Sequence, residues 1–563
     1  MQTIFRRSIS QQHKMFLSVG KEEAGLPDSP LKPALPRLPG HGSDDAVMSR
    51  AVSSPALPAS LQRFLSGLHR ASLPTDGVFL VGGGVRDLLL GRPLKDVDLA
   101  CRDAEAVALE LAKALNARFV PLGRDHDPPS FRVVPRDADP AGLPIELLAA
   151  PLPGPCFLDV TEIHGRDILE DLARRDFTAN AMALPLGLLP EALASTENHA
   201  AKKTTWQRDL LDPHLGLHDT LQGLIRRTGP RTMAEDPLRI LRGFRMRAQL
   251  GWAIEPATLD DMTRHAQALA RISGERIRSE LRLILECPGG GRLMAEMDRV
   301  GVLAVLFPEV REMRGCGQNH FHHLDVFEHS LAAVAQCEVL LADIESVFGE
   351  LREPILATLA QWRLPWLKLA VLLHDIGKPG TKGRRSTKEN TERITFYGHD
   401  ALGATMAESI ASRLRLSSAE SKYVVGLIRH HLHVGVLLRP EAKLKARLRW
   451  MRRLGSDLIP AILLCLADIR ATLGPASSLQ EHQTQEARGV ALIREFLEQT
   501  RTTFSALPLV NGHDLLALGL PPGPALGRTL GLLQEAQDAR EISTREEALA
   551  LADHLVSGRS AKV

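Results

Sequence analysis

Val78-Phe79-Leu80-Val81-Gly82-Gly83-Gly84-Val85-Arg86-Asp87, followed by Lys95-Asp96-Val97-Asp98-Leu99-Ala100, decides the fold of the N-terminal part of this chain. The apolar run Val78–Val81 stops at three glycines and reads as a short buried strand. The glycine turn lets backbone N–H groups come close to an anion, and Arg86 adds positive charge. Val97–Ala100 reads as a second strand. Residues two apart on a strand face the same side, so Asp96 and Asp98 project together. Two carboxylates on one face repel unless a cation lies between them. Mg²⁺ favours such oxygens in company with phosphates. Ile145-Glu146-Leu147-Leu148 reads as a third strand, with Glu146 as a third carboxylate. Residues 104–117 fit a helix. These features describe a small α/β head, a mixed sheet with helices, over residues 59–187.

Outward from the head, 563 residues are too many for one core. Residues 1–58 are rich in Pro, Ser and Gly and are expected to be disordered, and 59–70 to form a helix. A polar insertion is expected at 190–208. From about 232 onward nearly everything reads as helix. The expected divisions are a helical neck at 188–310, a further helical domain at 311–475 and a helical tail at 476–563. Aromatics are only 4% of the chain, so the cores must be built from Leu, Ala, Val and Ile. No internal repeat is present.

The formal net charge of +2 does not by itself point to nucleic acid. The charge is uneven, however. Seven arginines lie between Arg226 and Arg247, and Lys443, Lys445, Arg447, Arg449, Arg452 and Arg453 form a second cluster. Either could meet RNA phosphates, although a solvated helix face is the more ordinary reading. The six cysteines form no C-x-x-C pair and read as reduced core residues, which predicts a cytoplasmic chain. No apolar run reaches membrane-spanning length, and Arg6 and Arg7 are not followed by the apolar region of a signal peptide.

The glycine turn and the Asp96/Asp98 strand, taken in order with three later segments, resemble the class II tRNA nucleotidyltransferase and bacterial poly(A) polymerase family. Those segments are Asp171-Leu172-Ala173-Arg174-Arg175-Asp176-Phe177-Thr178-Ala179-Asn180-Ala181; Asp212-Pro213 through Gly223-Leu224-Ile225-Arg226; and Glu235-Asp236-Pro237-Leu238-Arg239-Ile240-Leu241-Arg242. The resemblance implies an enzyme using Mg²⁺, CTP, ATP and tRNA, without a membrane. It makes Asp96 and Asp98 metal ligands and catalytic residues, with Glu146. Gly82, Gly83 and Arg86 would hold the triphosphate. Arg175, Asp176 and Asn180 would contact the incoming nucleotide, with Arg242 beside them. Asp236 and Arg239 would read the base, on the expectation that i and i+3 share one helical turn. An Asp accepts from an exocyclic amine and an Arg donates to ring acceptors, a pattern that C and A share and U and G lack. Family members commonly follow the third carboxylate with Thr-Phe-Arg. Here Glu146 is followed by Leu147-Leu148-Ala149-Ala150-Pro151, without an Arg.

Further on, His329, His374-Asp375, His399, His431 and Asp468 form an ordered series that resembles the HD phosphohydrolase superfamily over roughly 320–475. By that resemblance His329, His374, Asp375 and Asp468 bind one divalent metal. Mixed imidazole and carboxylate suits Mn, Ni, Co, Fe or Zn. His399 and His431, with Lys378 nearby, would hold a second metal or a phosphate. Gly519-Leu520-Pro521-Pro522-Gly523 is expected to open a tail helix, similar to the tail of CCA-adding enzymes. The reading implied for the whole is a CCA-adding nucleotidyltransferase with an HD phosphohydrolase. Alternatives are an A-adding, CC-adding or poly(A)-adding member, or an HD phosphohydrolase whose head binds nucleotide without transferring it. The oligomeric state is not legible.

Overall fold

Period-two alternation builds the head. In the computed structural model, β1 (Phe79–Val81), β2 (Val97–Cys101) and β5 (Leu158–Glu162) send Leu80, Val97, Leu99, Cys101, Leu158 and Val160 into one core. That core is completed by α1 (Gly83–Leu89) and α2 (Ala104–Ala114), with β3 (Ala117–Pro121) and β4 (Ser130–Pro135). With β6 (Ala183–Pro185) the six strands run in the order β3-β4-β5-β2-β1-β6. Only β2 and β5 are parallel; the other neighbours are antiparallel. The opposite face is buried only in part, where α3 (Ile168–Ala173) packs Ile168 and Leu172 against Val81, Ala100 and Ala183. Asp98 and Asp159 belong to this second face.

The structure describes residues 76–92, 94, 97–122, 128–135, 157–189, 205–318, 324–386, 392–472, 479–504 and 506–556. They fall within one unit, Leu57–Val563. The extension at 1–58, the helix expected at 59–70, Asp96, the strand carrying Glu146 and most of the expected polar insertion lie outside the described residues.

The rest is chiefly helical. α4 (Gly216–Gln222), α5 (Thr232–Glu235), α6 (Arg239–Leu250) and α7 (Gly274–Glu286) form the neck, with one two-residue strand pair, Leu224–Ile225 beside Ala253–Ile254. Asp325 caps α8 (Val326–Ala342) by accepting from the Glu328 N–H at 2.8 Å. α9 (Arg363–Leu373), α10 (Lys378–Thr381), α11 (His399–Arg413), α12 (Ser418–Leu437), α13 (Leu444–Leu454) and α14 (Leu458–Ala471) follow. α14 is apolar on nearly every side, and it is buried because α8, α9 and α12 surround it. The all-helical expectation misses one hairpin, β7 (Gly383–Ser386) with β8 (Glu392–Thr395). Its polar, arginine-rich residues carry no helical period to signal either state.

The tail helices α15 (Leu479–Thr502), α16 (Gly512–Ala517), α17 (Pro524–Asp538) and α18 (Arg545–Val556) agree with expectation. Gly523 at φ 145° precedes Pro524, so the turn does open a helix.

Neck and helical domain are joined through a buried ion pair. Lys368 on α9 is 1% exposed and lies 2.9 Å from Glu338 on α8. Its ammonium also donates to the carbonyls of Leu285 at 2.7 Å and Cys287 at 3.0 Å, just where α7 runs out of intrahelical partners. Glu338 accepts from the N–H groups of Gly289 at 2.9 Å and Gly291 at 2.7 Å. Removing one partner of such a pair strands the other charge in a dry site. Lys368→Met is expected to cost about 3 kcal/mol or more. Glu338→Gln/Lys368→Met together should cost less than the sum of the two single changes. Thermal-unfolding midpoints of the four proteins check this; additive shifts would show that the pair is not a unit.

Candidate active sites

The first site forms on the open face of the head sheet. Asp98 and Asp159 are direct Cα partners in the parallel β2–β5 pair, so both carboxylates leave the same face side by side. Arg132, from β4 on that face, grips Asp159 with two hydrogen bonds of 2.7 and 2.8 Å. Gly82 closes the site from the end of β1, with φ 70° and ψ −138°, a conformation suited to glycine. A Cβ there would lie 3.3 Å from Arg175 Nη1 and 3.5 Å from Asp98 Oδ2. Arg175 and Asp98 therefore both lie beside the glycine turn.

Around this centre the side chains are held by one another. Arg86 donates through Nη1 to Asn180 Oδ1 at 2.9 Å and through Nε and Nη2 to Asp87. Asn180 in turn donates to Asp176 Oδ1 at 3.2 Å. Asp176 is buried, which favours its neutral form, but Arg242 with Nε 2.8 Å away outweighs that and keeps its pKa below the ordinary value. Arg175 is braced by Asp171 at 2.9 and 3.1 Å. Sequence-expected Gly82, Gly83, Arg86, Asp98, Arg175, Asp176, Asn180 and Arg242 are thus brought together. Asp159 was missed. Its signal was the alternation Leu158-Asp159-Val160-Thr161, twelve residues before Asp171.

Asp236 and Arg239 depart from expectation. They do not share a helical turn: α5 ends at Glu235, Asp236 is extended with φ −140° and ψ 100°, and α6 begins at Arg239. Pro237 explains this, because a residue before proline is driven out of the α region. Asp236 accepts from the Leu238 N–H at 3.1 Å and pairs with Arg276 at 2.8 Å. Arg239 donates to the carbonyls of Arg174 at 2.6 Å and Thr232 at 3.1 Å. They remain neighbours in the chain but are oriented by separate partners.

Neither arginine cluster is a free basic face. Arg226 pairs with Asp219 and Glu255, Arg227 with Asp261, Arg242 with Asp176, Arg245 with Glu280 and Arg247 with Glu296. In the second cluster Lys445, Arg447, Arg449 and Arg452 pair with Glu541, Glu495, Glu535 and Asp538 of the tail.

The second site lies where α8, the end of α9, α11, α12 and α14 converge. His329 Nε2 is 2.9 Å from Asp468 Oδ1 and 3.8 Å from Asp375 Oδ2. His374 Nε2 is 3.2 Å from Asp375 Oδ2 and 3.6 Å from Asp468 Oδ1. On the other side of the same carboxylate, His399 Nε2 is 3.4 Å from Asp375 Oδ1 and 3.3 Å from His431 Nε2. Lys378 Nζ stands 2.5 Å from Asp375 and donates to Gln318 at 2.7 Å. Two donor groups result, His329/His374/Asp375 and Asp375/His399/His431, each with ligand atoms within 4.8 Å of one another. Asp375 belongs to both.

The ring orientations suit metal binding. Nδ1 of His374, His399 and His431 lies 2.8, 2.7 and 2.6 Å from the carbonyls of Val371, Phe396 and Ile428. A carbonyl only accepts, so Nδ1 donates to it and Nε2 is the nitrogen turned inward; on His374 a bound cation would take the place of the Nε2 proton. Burial pushes the His431 pKa down to about 4, leaving it neutral. Burial also opposes charge on His374, yet Asp375 and Asp468 outweigh it and push its pKa up to about 10. The pocket is therefore built for a cation. Gly377 permits the closure: a Cβ there would collide with the carbonyl of His399 and the N–H of Gly403, forcing α11 away.

Similarities to known proteins follow the same division. The poly(A) polymerase head domain model matches residues 78–226, the probable RNA and SrmB-binding site of polymerase A matches 251–313, and the HD domain matches 326–473. An A-adding tRNA nucleotidyltransferase of Deinococcus radiodurans is 33% identical over 481 residues, covering 84% of this chain and 94% of the relative. A CC-adding tRNA nucleotidyltransferase of Thermus thermophilus is 31% identical over 494 residues, covering 86% of this chain and 95% of the relative. A CCA-adding enzyme solved with ATP shares the fold at 20% identity and a TM-score of 0.52, covering 90% of this chain and 96% of that one.

Proposed function

We propose that this chain, which belongs to the tRNA nucleotidyltransferase and poly(A) polymerase family, adds C, C and A to the 3′ end of tRNA from CTP and ATP. The observation that carries the reading is the convergence of Asp98, Asp159, Arg175 and the Gly82 turn on one open sheet face. A second reading, addition of A alone, is favoured by the 33% identity to an A-adding relative. No described helix is long and apolar enough to cross a membrane, and we place the enzyme with its substrates in the cytoplasm.

The paired carboxylates fit a divalent cation, which when bound would acidify the RNA 3′-hydroxyl and screen the departing pyrophosphate. Mg²⁺ suits the all-oxygen donors Asp98 and Asp159, with Asp96 two residues before Asp98 in the sequence. Asp159 offers a further carboxylate beside Asp98, and Glu146, expected in such a role, lies outside the described residues. Arg86 and Arg175 flank the glycine turn, where they can hold the triphosphate with its α-phosphorus in line with the attacking oxygen. Asp176, Asn180 and Arg242 fix the floor on which the nucleotide rests. Asp236 and Arg239 offer an acceptor and a donor to the base edge. In the second site His329, His374, Asp375 and Asp468 would hold one transition metal, and His399 and His431 a second, for hydrolysis of a phosphate ester. Bound there, the metal would supply a hydroxide at neutral pH.

On tRNA lacking its last three nucleotides, labelled CTP alone should add two residues, and ATP should be used only after them. Use of ATP only on tRNA already ending in CC would favour the second reading. Asp98→Ala and Asp159→Asn should each abolish incorporation while leaving tRNA binding nearly intact. Substantial incorporation by either variant at saturating Mg²⁺ would remove that residue from the metal site.

Base choice offers a separate measurement. A well-placed donor–acceptor pair discriminates by roughly 1–3 kcal/mol, or about tenfold to a hundredfold. Asp236→Ala and Arg239→Ala should each lower kcat/KM for CTP and ATP and narrow their advantage over UTP. Unchanged CTP/UTP and ATP/UTP ratios in both would show that these residues only brace the neck.

The two chemistries should separate. His374→Ala should remove Mn²⁺-, Ni²⁺- or Co²⁺-stimulated hydrolysis of a 2′,3′-cyclic nucleotide or a phosphomonoester, and spare nucleotide addition. Absence of such hydrolysis in the wild type under all three metals would refute the second activity.

A further inference from the structure

The hairpin β7–β8 has both feet at the histidine site. β7 follows α10, whose first residue is Lys378, and β8 runs through Phe396 into His399. Phe396 places its ring 5.5 Å from Lys378 Nζ. The hairpin therefore rises directly from the rim of the site.

One face of that hairpin is set up unfavourably for a lone protein. Arg385 and Arg393 are direct cross-strand partners, so their side chains leave the same face. Directly opposed side chains have Cβ atoms only about 4.5–5.5 Å apart, and like charges there repel. Both arginines are exposed, and among the described residues neither makes an ion pair. By contrast Arg384, on the other face, is matched by Glu392 at 2.8 Å. Toward the feet the Arg385/Arg393 face continues as Gly383 opposite Thr395, two small residues. A shallow strip thus runs from the arginines to the feet of the hairpin, roughly 7 Å at about 3.4 Å per residue. At its lower end stands Tyr397, a large aromatic that is 74% exposed and two residues from His399.

Paired arginines with no counter-charge among the described residues call for an anion, and an exposed aromatic beside a phosphate-ester site calls for a flat ring to stack on it. A single RNA strand supplies both at once, phosphates along its length and a base at each step. An acidic peptide would satisfy the arginines but leave Tyr397 and the metal ligands without a role.

We infer that this hairpin face is a docking track for single-stranded RNA, with Arg385 and Arg393 on an internal phosphate and Tyr397 under the base beside the terminal one, so that the histidine site acts on an RNA end rather than on free nucleotides. The inference rests on the hydrolytic reading of that site given above. In the step itself, water adds to the terminal 2′,3′-cyclic phosphorus, one ribose P–O bond breaks, and the released oxygen takes up a proton from the water.

The test uses the full chain supplied with Ni²⁺ or Mn²⁺ and two substrates with the same reacting group, 2′,3′-cyclic CMP and an eight-nucleotide RNA ending in that cyclic phosphate. Wild type should show a KM for the RNA at least about tenfold below that for the mononucleotide, and this advantage should shrink as salt rises. R385A/R393A should raise the RNA KM roughly tenfold, flatten its salt dependence and leave the mononucleotide KM and kcat unchanged. Tyr397→Ala should raise the RNA KM by a similar factor without altering the salt slope. R385K/R393K, which keeps the charge, should retain most of the RNA preference. Equal KM values for the two substrates in wild type would overturn the inference and leave the hydrolytic reading standing, as would variants that change both substrates alike. Hydrolysis of neither substrate would overturn the hydrolytic reading and this inference with it. Nucleotide addition by the same preparations, expected at the wild-type rate, reports that the variants are folded.

Discussion

A carboxylate taken out of water must be met by a cation or by N–H donors, and much of this molecule is arranged around that requirement. Asp219 is met by Arg226, Asp261 by Arg227, Asp176 by Arg242, Glu280 by Arg245, Glu338 by Lys368 and Asp538 by Arg452. In several of these the partners come from different layers of the structure. Asp176 follows the head helix α3 while Arg242 is on α6; Arg452 is on α13 while Asp538 closes α17. With few aromatics to interdigitate, the packed helices gain their fixed register from these matched charges as well as from apolar contact. The two sites are where the matching is made differently. Asp98 and Asp159 stand side by side on one sheet face, with Arg132 gripping Asp159. Asp375 is faced by three histidines and Lys378 at once. An excess of one sign in a confined space is what a metal or a phosphate then balances.

The same requirement explains what could and could not be read from sequence. The glycine turn, the Asp98 strand and the histidine series were legible because their information is local: a run of strand residues, a turn, a spacing. The arginine clusters were misread for the opposite reason. Arg247 and Glu296 are 49 residues apart, and Arg452 and Asp538 are 86 apart. Nothing local to either arginine reveals its partner. Asp236 was placed on a helical turn by its spacing to Arg239, although Pro237 between them carried the contrary signal. Asp159 was passed over because the third strand was read at the more apolar run Ile145-Glu146-Leu147-Leu148. Only the pairing of β5 beside β2 identifies the carboxylate next to Asp98. The hairpin at the histidine site escaped notice because neither of its strands has an apolar face.

The helix α7 ties the two sites into one mechanical unit. Its Arg276 holds Asp236, and its Glu280 faces Arg245, close to the floor of the nucleotide site. Its C-terminal carbonyls are held by Lys368 on α9, the helix that ends at His374. Its other end is fastened to the same domain: Arg278 donates to the carbonyl of Arg415 at 2.7 Å, and Gly274 lies so close to the carbonyl of Arg413 that a Cβ would not fit. Thirteen residues of helix, about 20 Å at 1.5 Å per residue, are thus clamped at both ends by the histidine domain and carry nucleotide-site residues between the clamps. Lys368, Glu338, Arg413 and Arg415 are not among the metal-donor groups. The clamp therefore does not depend on a bound metal. A chain of this design that lost His329 or His399 would lose metal affinity but keep the splint that positions Asp236. The histidine domain thus has a structural part to play that is separable from any chemistry at its donor groups, and that part reaches Asp236 through Arg276.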